Sequence, residues 1–335
     1  MSEKIAIEFT NLVKDGDITS VFKDNIPTYH HWSQREIDAI TLALATERPL
    51  LVRGEPGTGK TQLASAAATV LEWMLHIQVI NARTEAADLF YHYDALNRLA
   101  DAQMLKTGQE LPSYENYMRP GVLWKALNWK NSLTLKKALN SSSLDNEPKG
   151  HIVLIDEIDK ADTDLANSLL EIFGSRSFHH PFSHELINVE TNKAFPIIII
   201  TTNEDRKLPD PFVRRCIVLD MNLPEDDEAY SEALYLIANS HFGDKCPNGP
   251  SFKKEVIDKA LDLLKNDRIG FKQNHLAPPT AAELLDLLYG IKKLEPDINN
   301  TDIQLKWIEK LSQYSFRKHV IDVPHELKQR SQNRN

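Results

Sequence analysis

The sequence lacks three features that would direct the search for a function. Its formal net charge is −9, so there is no overall basic surface for nucleic acid, although a local patch or a pore in an assembly is compatible with this balance. Two cysteines, Cys216 and Cys246, allow one disulfide at most. No apolar run is long enough to span a bilayer, and the first residues contain no signal-peptide core. These absences predict a cytoplasmic protein with no membrane role, and they disfavour nucleic acid as a partner.

The most informative stretch is GEPGTGKT at residues 54–61, which follows the apolar run 50–52 and precedes the alanine-rich stretch 62–71. Glycines in such a loop let backbone N–H groups surround a polyphosphate, and the following helix points its positive end at the same anion. Lys60 would reach the β- and γ-phosphates, and the Thr61 hydroxyl would be a ligand of Mg²⁺. We predict that the bound nucleotide contacts Gly54, Glu55, Pro56, Gly57, Thr58, Gly59, Lys60, Thr61 and Gln62.

Polar side chains follow two further apolar runs. Asp156 and Glu157 come directly after the run 152–155, and Asn203 comes directly after the run 195–202. Ligands bind where parallel strands end, so these side chains are candidates for one site. Asp156 would hold the hydration shell of Mg²⁺ and Glu157 would orient the attacking water. Asn203 would bond the γ-phosphate or that water, although asparagine is also a common turn residue.

Two other stretches allow more than one interpretation. The histidines of HHPFSH, residues 179–184, invite a metal site, but no matching ligands with zinc spacing accompany them, so we predict a hairpin or loop. Arg214 and Arg215 precede the apolar run 217–219. They could pair with surface acids, or one of them could project into the site of a neighbouring subunit and stabilise charge on a transferred phosphoryl group.

Together these motifs resemble those of the AAA+ ATPases, and within them the MoxR-like branch. GEPGTGKT matches Walker A, IVLIDE matches Walker B, TTN ends in the sensor-1 position, and PFVRRC resembles the arginine-finger segment. YMRPGVLWKAL is similar to the G-P-L-x-x-A segment, and residues 84–104 and 177–194 correspond to the helix-2 insertion and the hairpin before sensor 1. The resemblance covers about residues 25–288.

This resemblance implies a site that binds ATP and Mg²⁺. The implied metal ligands are Thr61 and Asp156, and the implied catalytic residues are Glu157, Asn203, Arg214 and Arg215. Arg215 is ranked above Arg214, because Arg215-Cys216 falls where many AAA+ proteins have an Arg-Phe pair.

One departure from the family pattern concerns its sensor-2 arginine, which starts a lid helix. The corresponding stretch here is APPTAAE, residues 277–283, and Thr280 lies nearest the arginine position. The arginine that usually couples the bound nucleotide to the position of the lid is therefore absent at this place in the sequence. Nearby Arg268 or Lys272 could substitute for it.

The predicted fold is α/β: a P-loop NTPase with a five-stranded parallel sheet flanked by helices, plus a small C-terminal helical lid. Ser33 and Glu36 fit a capping box at the start of a helix. The predicted domains are a lead-in at 1–24, a nucleotide-binding domain at 25–223, a lid at 224–295 and a terminal helix and tail at 296–335. Further helices are predicted at 86–106, 229–238, 256–264, 280–288 and 302–314.

The resemblance implies an ATPase that converts ATP and water to ADP and phosphate. We expect a homo-oligomeric ring, a hexamer, that remodels or activates a partner protein, and MoxR-like proteins often act with partners that carry a von Willebrand factor A domain. One alternative is a nucleotide-dependent switch or scaffold with little turnover, which the missing arginine favours. Another is a nucleic-acid-directed NTPase motor, which the acidic balance disfavours.

Overall fold

The computed structural model describes residues 1–23, 26–106, 110–138, 147–190, 193–273 and 279–316. The chain forms two compact units. The first contains Met1–Asp17, Trp32–Gly54 and Lys60–Asp220, and the second contains Ile18–His31, Glu55–Gly59 and Met221–Asn335. None of the helices in the described ranges is long and apolar enough to cross a membrane.

The helices are α1 Ser2–Leu12, α2 Gln34–Thr46, α3 Lys60–Leu71, α4 Ala95–Met104, α5 Val122–Leu127, α6 Trp129–Ala138, α7 Thr163–Ser175, α8 Asp210–Val213, α9 Asp227–Phe242, α10 Lys254–Gln273, α11 Ala281–Leu294 and α12 Thr301–Phe316. The strands are β1 Ile18–Lys23, β2 Ile26–His31, β3 Leu50–Arg53, β4 Met74–Val79, β5 Tyr91–Tyr93, β6 Met118–Pro120, β7 His151–Asp156, β8 Ser177–His179, β9 Leu186–Asn188, β10 Ile197–Thr202 and β11 Ile217–Asp220.

A five-stranded sheet is the centre of the first unit. Its strand order is β11-β3-β10-β7-β4, and every neighbouring pair is parallel. All six residues of β10 are buried, as are the four apolar residues of β7, because helices cover both faces of such a sheet. The predicted P-loop NTPase fold, with its five parallel strands and C-terminal helices, is confirmed.

Small buried side chains position α3, and a capping box sets the start of α2. Ala64, Ala66 and Ala67 of α3 are fully buried, and their small size lets this helix lie close to the sheet. The helix α2 begins at the predicted capping box, in which the Ser33 N–H donates to Glu36 at 2.7 Å and the Glu36 N–H donates back to the Ser33 hydroxyl at 3.4 Å. These contacts fix where α2 begins on the side of the sheet.

The region predicted as one helix over 86–106 is broken into three elements. A 3₁₀ turn at Ala86–Leu89 precedes β5, which pairs antiparallel with β6, and α4 follows. Tyr91 and Tyr93 favour a strand, and the Asp94 side chain caps α4 by accepting the Asn97 N–H at 3.0 Å. The prediction of a single helix was wrong because this local strand pairing and cap interrupt it.

The segment with the HHPFSH motif forms an antiparallel hairpin of β8 and β9, as predicted. His180 is buried, and its Nδ1 accepts the backbone N–H groups of Phe182 at 3.3 Å and Ser183 at 3.1 Å. These two hydrogen bonds stabilise the turn of the hairpin, which gives His180 a structural role. Within the described ranges, no group of three or more His, Cys, Asp or Glu side chains is arranged to hold a metal ion.

The second unit is a bundle of α9, α10, α11 and α12 with the β1–β2 hairpin. Its core includes the fully buried residues Phe242, Leu284 and Ile308. The predicted lid helices are present and longer than predicted. The hairpin was not predicted, and it is bound to α9 and α11 by the Tyr29 N–H, which donates to His241 Nε2 at 3.2 Å, and by the Tyr289 hydroxyl, which donates to Pro27 O at 3.2 Å.

Two buried histidines in this unit predict a loss of stability in acid. Burial lowers the pKa of His30 from 6.5 to about 3, and it also lowers the pKa of His241. Their neutral forms stabilise the fold fully above the unfolded pKa of about 6.5, and this contribution falls as the pH drops. For His30 the fall is about 1.4 kcal/mol per pH unit down to about pH 3, and His241 adds to it in the same direction. Urea unfolding between pH 7.5 and 4.5 measures this slope. His30→Leu should flatten it, whereas His92→Leu, at an exposed site, should not.

Candidate nucleotide-binding site

The predicted site residues of the first unit lie where three neighbouring strands end. Asp156 is the last residue of β7, Thr202 is the last residue of β10 and pairs in register with Arg53, which ends β3. The chain then enters α3 at Lys60. Because all three strands run parallel, the sheet brings Thr61, Asp156, Glu157 and Asn203 to one edge.

Lys60 and Thr61 face this edge from the first turn of α3. The Lys60 side chain is buried, and its Nζ donates to Gly54 O at 2.7 Å. The Thr61 hydroxyl lies 3.1 Å from both carboxylate oxygens of Asp156. A hydroxyl and a carboxylate in this position are the hard oxygen ligands that Mg²⁺ prefers, so the two predicted metal ligands fit a Mg²⁺ ion.

The loop residues 55–59, which belong to the second unit, are fixed by contacts within that unit. The Glu55 N–H donates to Asn222 Oδ1 at 2.9 Å. Gly57 has φ +82°, and a Cβ built there would lie 2.7 Å from Thr280 Oγ1 and 2.8 Å from Ala282 Cβ. Position 57 therefore requires glycine both for its left-handed backbone and for the close approach of α11.

Thr280, the residue nearest the family's sensor-2 arginine, caps α11. Its side chain accepts the Ala282 N–H, and Glu283 completes a capping box. Arg268 is buried in the same unit, where its guanidinium lies 3.9 Å from the Tyr230 ring centroid and donates to the Tyr230 hydroxyl at 3.0 Å and to Pro279 O at 3.4 Å. Arg268 thus supports the start of α11. The Lys272 side chain and residues 277–278 lie outside the described residues.

The two catalytic candidates Glu157 and Asn203 are in contact, since Asn203 Nδ2 lies 3.4 Å from Glu157 Oε1. Glu157 has φ +60°, an uncommon conformation for a residue with a side chain. Its N–H donates to Thr201 Oγ1 at 2.9 Å, and the Thr201 hydroxyl donates to Asp156 Oδ1 at 2.5 Å. One hydroxyl therefore orients both adjacent carboxylate residues.

Sequence reasoning did not assign a role to Thr201. Its side chain is only 1% exposed, in a strand whose first four residues are isoleucines. A buried hydroxyl needs a hydrogen-bond partner, and the end of an apolar strand beside two acids offers one. The polar residue in the strand was thus the available signal.

Thr201→Val should slow hydrolysis far more than it weakens nucleotide binding. Valine keeps the shape of threonine but removes the bonds to Asp156 and to the Glu157 N–H, which costs about 1–3 kcal/mol of stability and at least about tenfold in kcat. Steady-state kinetics and calorimetry measure the two effects. Thr202→Val is the matched control, because Thr202 is equally buried but its hydroxyl accepts the Glu204 N–H at 2.9 Å. An equal loss in both variants would contradict this role.

The two arginines of the predicted finger segment differ in their contacts. Arg215 Nη1 donates to Leu170 O at 3.1 Å. Arg214 is exposed, and within the described part of the chain its side chain makes no hydrogen bond or ion pair. Among the described residues, Arg214 is therefore the less constrained of the two side chains, whereas the sequence ranked Arg215 first.

The region that contains this site matches the model of a known protein family. The profile of the AAA domain, dynein-related subfamily, matches residues 49–235. The chain therefore belongs to this family of AAA domains, and membership implies nucleotide binding. The matched region contains the P-loop, Asp156, Glu157, Asn203 and both arginines.

Several solved structures align with the chain at low identity. A candidate ATPase from Cytophaga hutchinsonii is 14% identical, with a TM-score of 0.38, over 93% of this chain and 84% of that one. A Thermotoga maritima RuvB mutant is 18% identical, with a TM-score of 0.42, over 84% and 72%. The Thermotoga maritima RuvB Holliday junction branch migration motor is 17% identical, with a TM-score of 0.39, over 83% and 67%. No curated protein sequence gave a significant match.

Proposed function

We propose that this protein is an ATPase that hydrolyses ATP with Mg²⁺. The observation that carries the proposal is the hydrogen-bonded group of Thr61, Asp156, Thr201, Glu157 and Asn203 at the end of the sheet. Lys60 would bind the phosphates, with the loop residues 54–59 and Gln62. Glu157 would orient the attacking water, and Asn203 would hold Glu157 or that water in place.

The metal would be held by Thr61 and Asp156. When bound, Mg²⁺ would neutralise negative charge on the phosphate oxygens. The chain itself sets the direction of the Asp156 carboxylate, because Thr61 and Thr201 both donate to it. Proton abstraction from water is assigned to the neighbouring Glu157, so the two adjacent acids have separate tasks.

Steady-state ATPase assays with and without Mg²⁺ test this proposal directly. Turnover that requires Mg²⁺ and is lost in Glu157→Gln would support it. Tight ATP binding with no turnover in the wild type would instead support a nucleotide-dependent switch. The contacts that favour this second candidate are those of Thr280 and Arg268, because the residue at the sensor-2 position is not an arginine and the buried arginine nearby is bound to Tyr230.

We further propose that the protein acts as a homo-oligomeric ring, a hexamer of the MoxR-like type in the cytoplasm, that remodels or activates a partner protein. A partner with a von Willebrand factor A domain is the first to test. The exposed Arg214 supports the ring, because an exposed arginine whose side chain makes no hydrogen bond or ion pair to the described residues can reach the site of a neighbour. GTPase assays and assays with added DNA would detect the disfavoured nucleic-acid motor.

Arg214→Ala should abolish turnover and leave nucleotide binding by the subunit nearly unchanged, because the arginine acts on the neighbour's phosphates. Removing such an arginine costs roughly 10³-fold or more in kcat. Mixing this variant with Glu157→Gln should restore about a quarter of wild-type turnover, since about one site in four then combines an intact Glu157 with an intact neighbouring arginine. ATPase assays on mixed assemblies measure this rescue.

Arg215→Ala is the matched control for this experiment. It removes a neighbouring arginine whose side chain is bound to Leu170 O, so its effect should be smaller. If only Arg215→Ala lost activity, the assignment to Arg214 would be wrong. A verified mixed assembly without rescue would show that Arg214 does not act across a subunit interface.

A further inference from the structure

Arg48 holds the backbone of the segment that carries both arginines. It follows α2 and directly precedes Pro49 and β3. Its Nε donates to Arg215 O at 3.0 Å, and its Nη2 donates to Arg214 O at 2.5 Å and to Cys216 O at 3.3 Å. One guanidinium group thus binds three consecutive carbonyl oxygens.

These carbonyls need a donor from outside the segment. They lie just beyond α8, whose own carbonyls at Asp210, Phe212 and Val213 accept the N–H groups of residues 214, 215 and 216, and backbone carbonyls placed after a helix take their donors from elsewhere in the chain or from water. An arginine can satisfy such groups because its planar guanidinium presents several N–H donors in a fixed geometry. A lysine at this position has a single nitrogen and could not reproduce the same arrangement.

The rest of the segment is held on its other sides. Phe212 is fully buried, the Ile217 N–H donates to Pro49 O at 2.8 Å, and the Cys216 thiol contacts Phe212 O at 3.4 Å. The Arg215 side chain is bound to Leu170 O. Arg214 and Arg215 are both exposed, but only Arg214 makes no side-chain hydrogen bond or ion pair to the described residues. The direction of the backbone at residue 214 therefore decides where the Arg214 side chain points.

We propose that Arg48 is a positioning residue that directs Arg214 towards the active site of a neighbouring subunit. This inference rests on the proposed function. It assigns Arg48 no contact with nucleotide, and it predicts that loss of Arg48 reproduces the loss of Arg214 in the neighbour's site. Because the bonds of Arg48 to Arg214 O and Arg215 O are exposed and only the bond to Cys216 O is partly buried, water can replace most of them, and the fold should survive the substitution.

Arg48→Ala should lower kcat by roughly 10- to 100-fold, the effect of misplacing a catalytic group by about 1 Å, while KM and Kd for ATP stay within about threefold. Arg48→Lys should fall in between. Arg35→Ala, at an exposed position near the other end of α2, is the control and should leave kcat unchanged. Thermal unfolding of each variant establishes that it is folded, and Arg48→Lys replaces Arg48→Ala in every assay if the alanine variant is not.

Mixing experiments separate this role from a merely structural one. Arg48→Ala mixed with Glu157→Gln should regain turnover, because the Glu157→Gln subunit supplies a correctly directed Arg214 to the intact Glu157 of its neighbour. Arg48→Ala mixed with Arg214→Ala should not rise above the residual turnover of Arg48→Ala alone, because neither subunit supplies a correctly directed arginine. Native mass measurements establish that the subunits have mixed.

Four outcomes would overturn the inference. An unchanged kcat would show that Arg48 has no such role, and recovery in the mixture with Arg214→Ala would show that Arg48 acts within its own site. Absence of rescue by Glu157→Gln, while Arg214→Ala is rescued, would sink the role of Arg48 and leave the proposed function standing. Absence of rescue for Arg214→Ala as well would overturn both.

Discussion

Glu157→Gln is expected to bind ATP with wild-type affinity and to lose hydrolysis by about 10²- to 10⁴-fold, the usual contribution of a general base. Glutamine keeps the size of the side chain and its contact with Asn203, but it cannot accept a proton from water. The backbone bond from residue 157 to Thr201 is also kept. The variant should therefore accumulate in an ATP-bound assembly, which single-turnover kinetics and calorimetry would detect.

Glu204→Gln is the matched control for this variant. Glu204 also follows a strand of the sheet and also has a positive φ, of +61°, but its carboxylate pairs with Arg53 at 3.5 Å and is half exposed. Its loss should have a much smaller effect on kcat. An unaltered turnover number in Glu157→Gln would move the catalytic role to another residue.

Lys60→Ala should weaken ATP binding by about 100-fold or more, because charge-assisted bonds to phosphate are lost. The fold without nucleotide should be little affected. The bond that Lys60 Nζ donates to Gly54 O is local, joining residues six positions apart, and α3 keeps its buried alanine face without it. Calorimetric titration with ATP measures the affinity, and circular dichroism measures the fold.

Lys160→Ala serves as the control for this loss of charge. Lys160 follows Walker B in the sequence, but its ammonium pairs with Asp205 at 2.5 Å and is partly exposed. Its removal should leave the affinity for ATP within about threefold, the size expected for an exposed ion pair. If Lys60→Ala bound ATP as tightly as the wild type, the P-loop assignment would fail.

The elements predicted best were those whose signals are local. The central strands β3, β7 and β10 are short apolar runs because both faces of the sheet are covered, and each ends beside a polar motif. The capping box at Ser33 lies within four residues of sequence. Such patterns predict both the element and its end, so the residues at the edge of the sheet could be named before their geometry was known.

The elements that were missed depend on distant partners. The β1–β2 hairpin contains many polar residues, and Tyr29 finds its partner His241 at a separation of 212 residues. The strand β5 depends on pairing with β6, and the two contacts of Thr201 are made with residues 44 and 45 positions away. The local spacing of apolar and polar residues does not predict such contacts. The difference between Arg214 and Arg215 is of the same kind, because it depends on the distant Leu170, whose carbonyl oxygen binds Arg215.

The contacts of the P-loop also set an order of events during synthesis. Asn222, which binds the Glu55 N–H, lies 167 residues further along the chain, and Thr280 and Ala282 follow later still. At a translation rate of about 5–20 residues per second, roughly 8–33 seconds separate Glu55 from Asn222. A nascent chain that stops at Asp220 would thus contain the whole nucleotide motif without the residues that hold its loop.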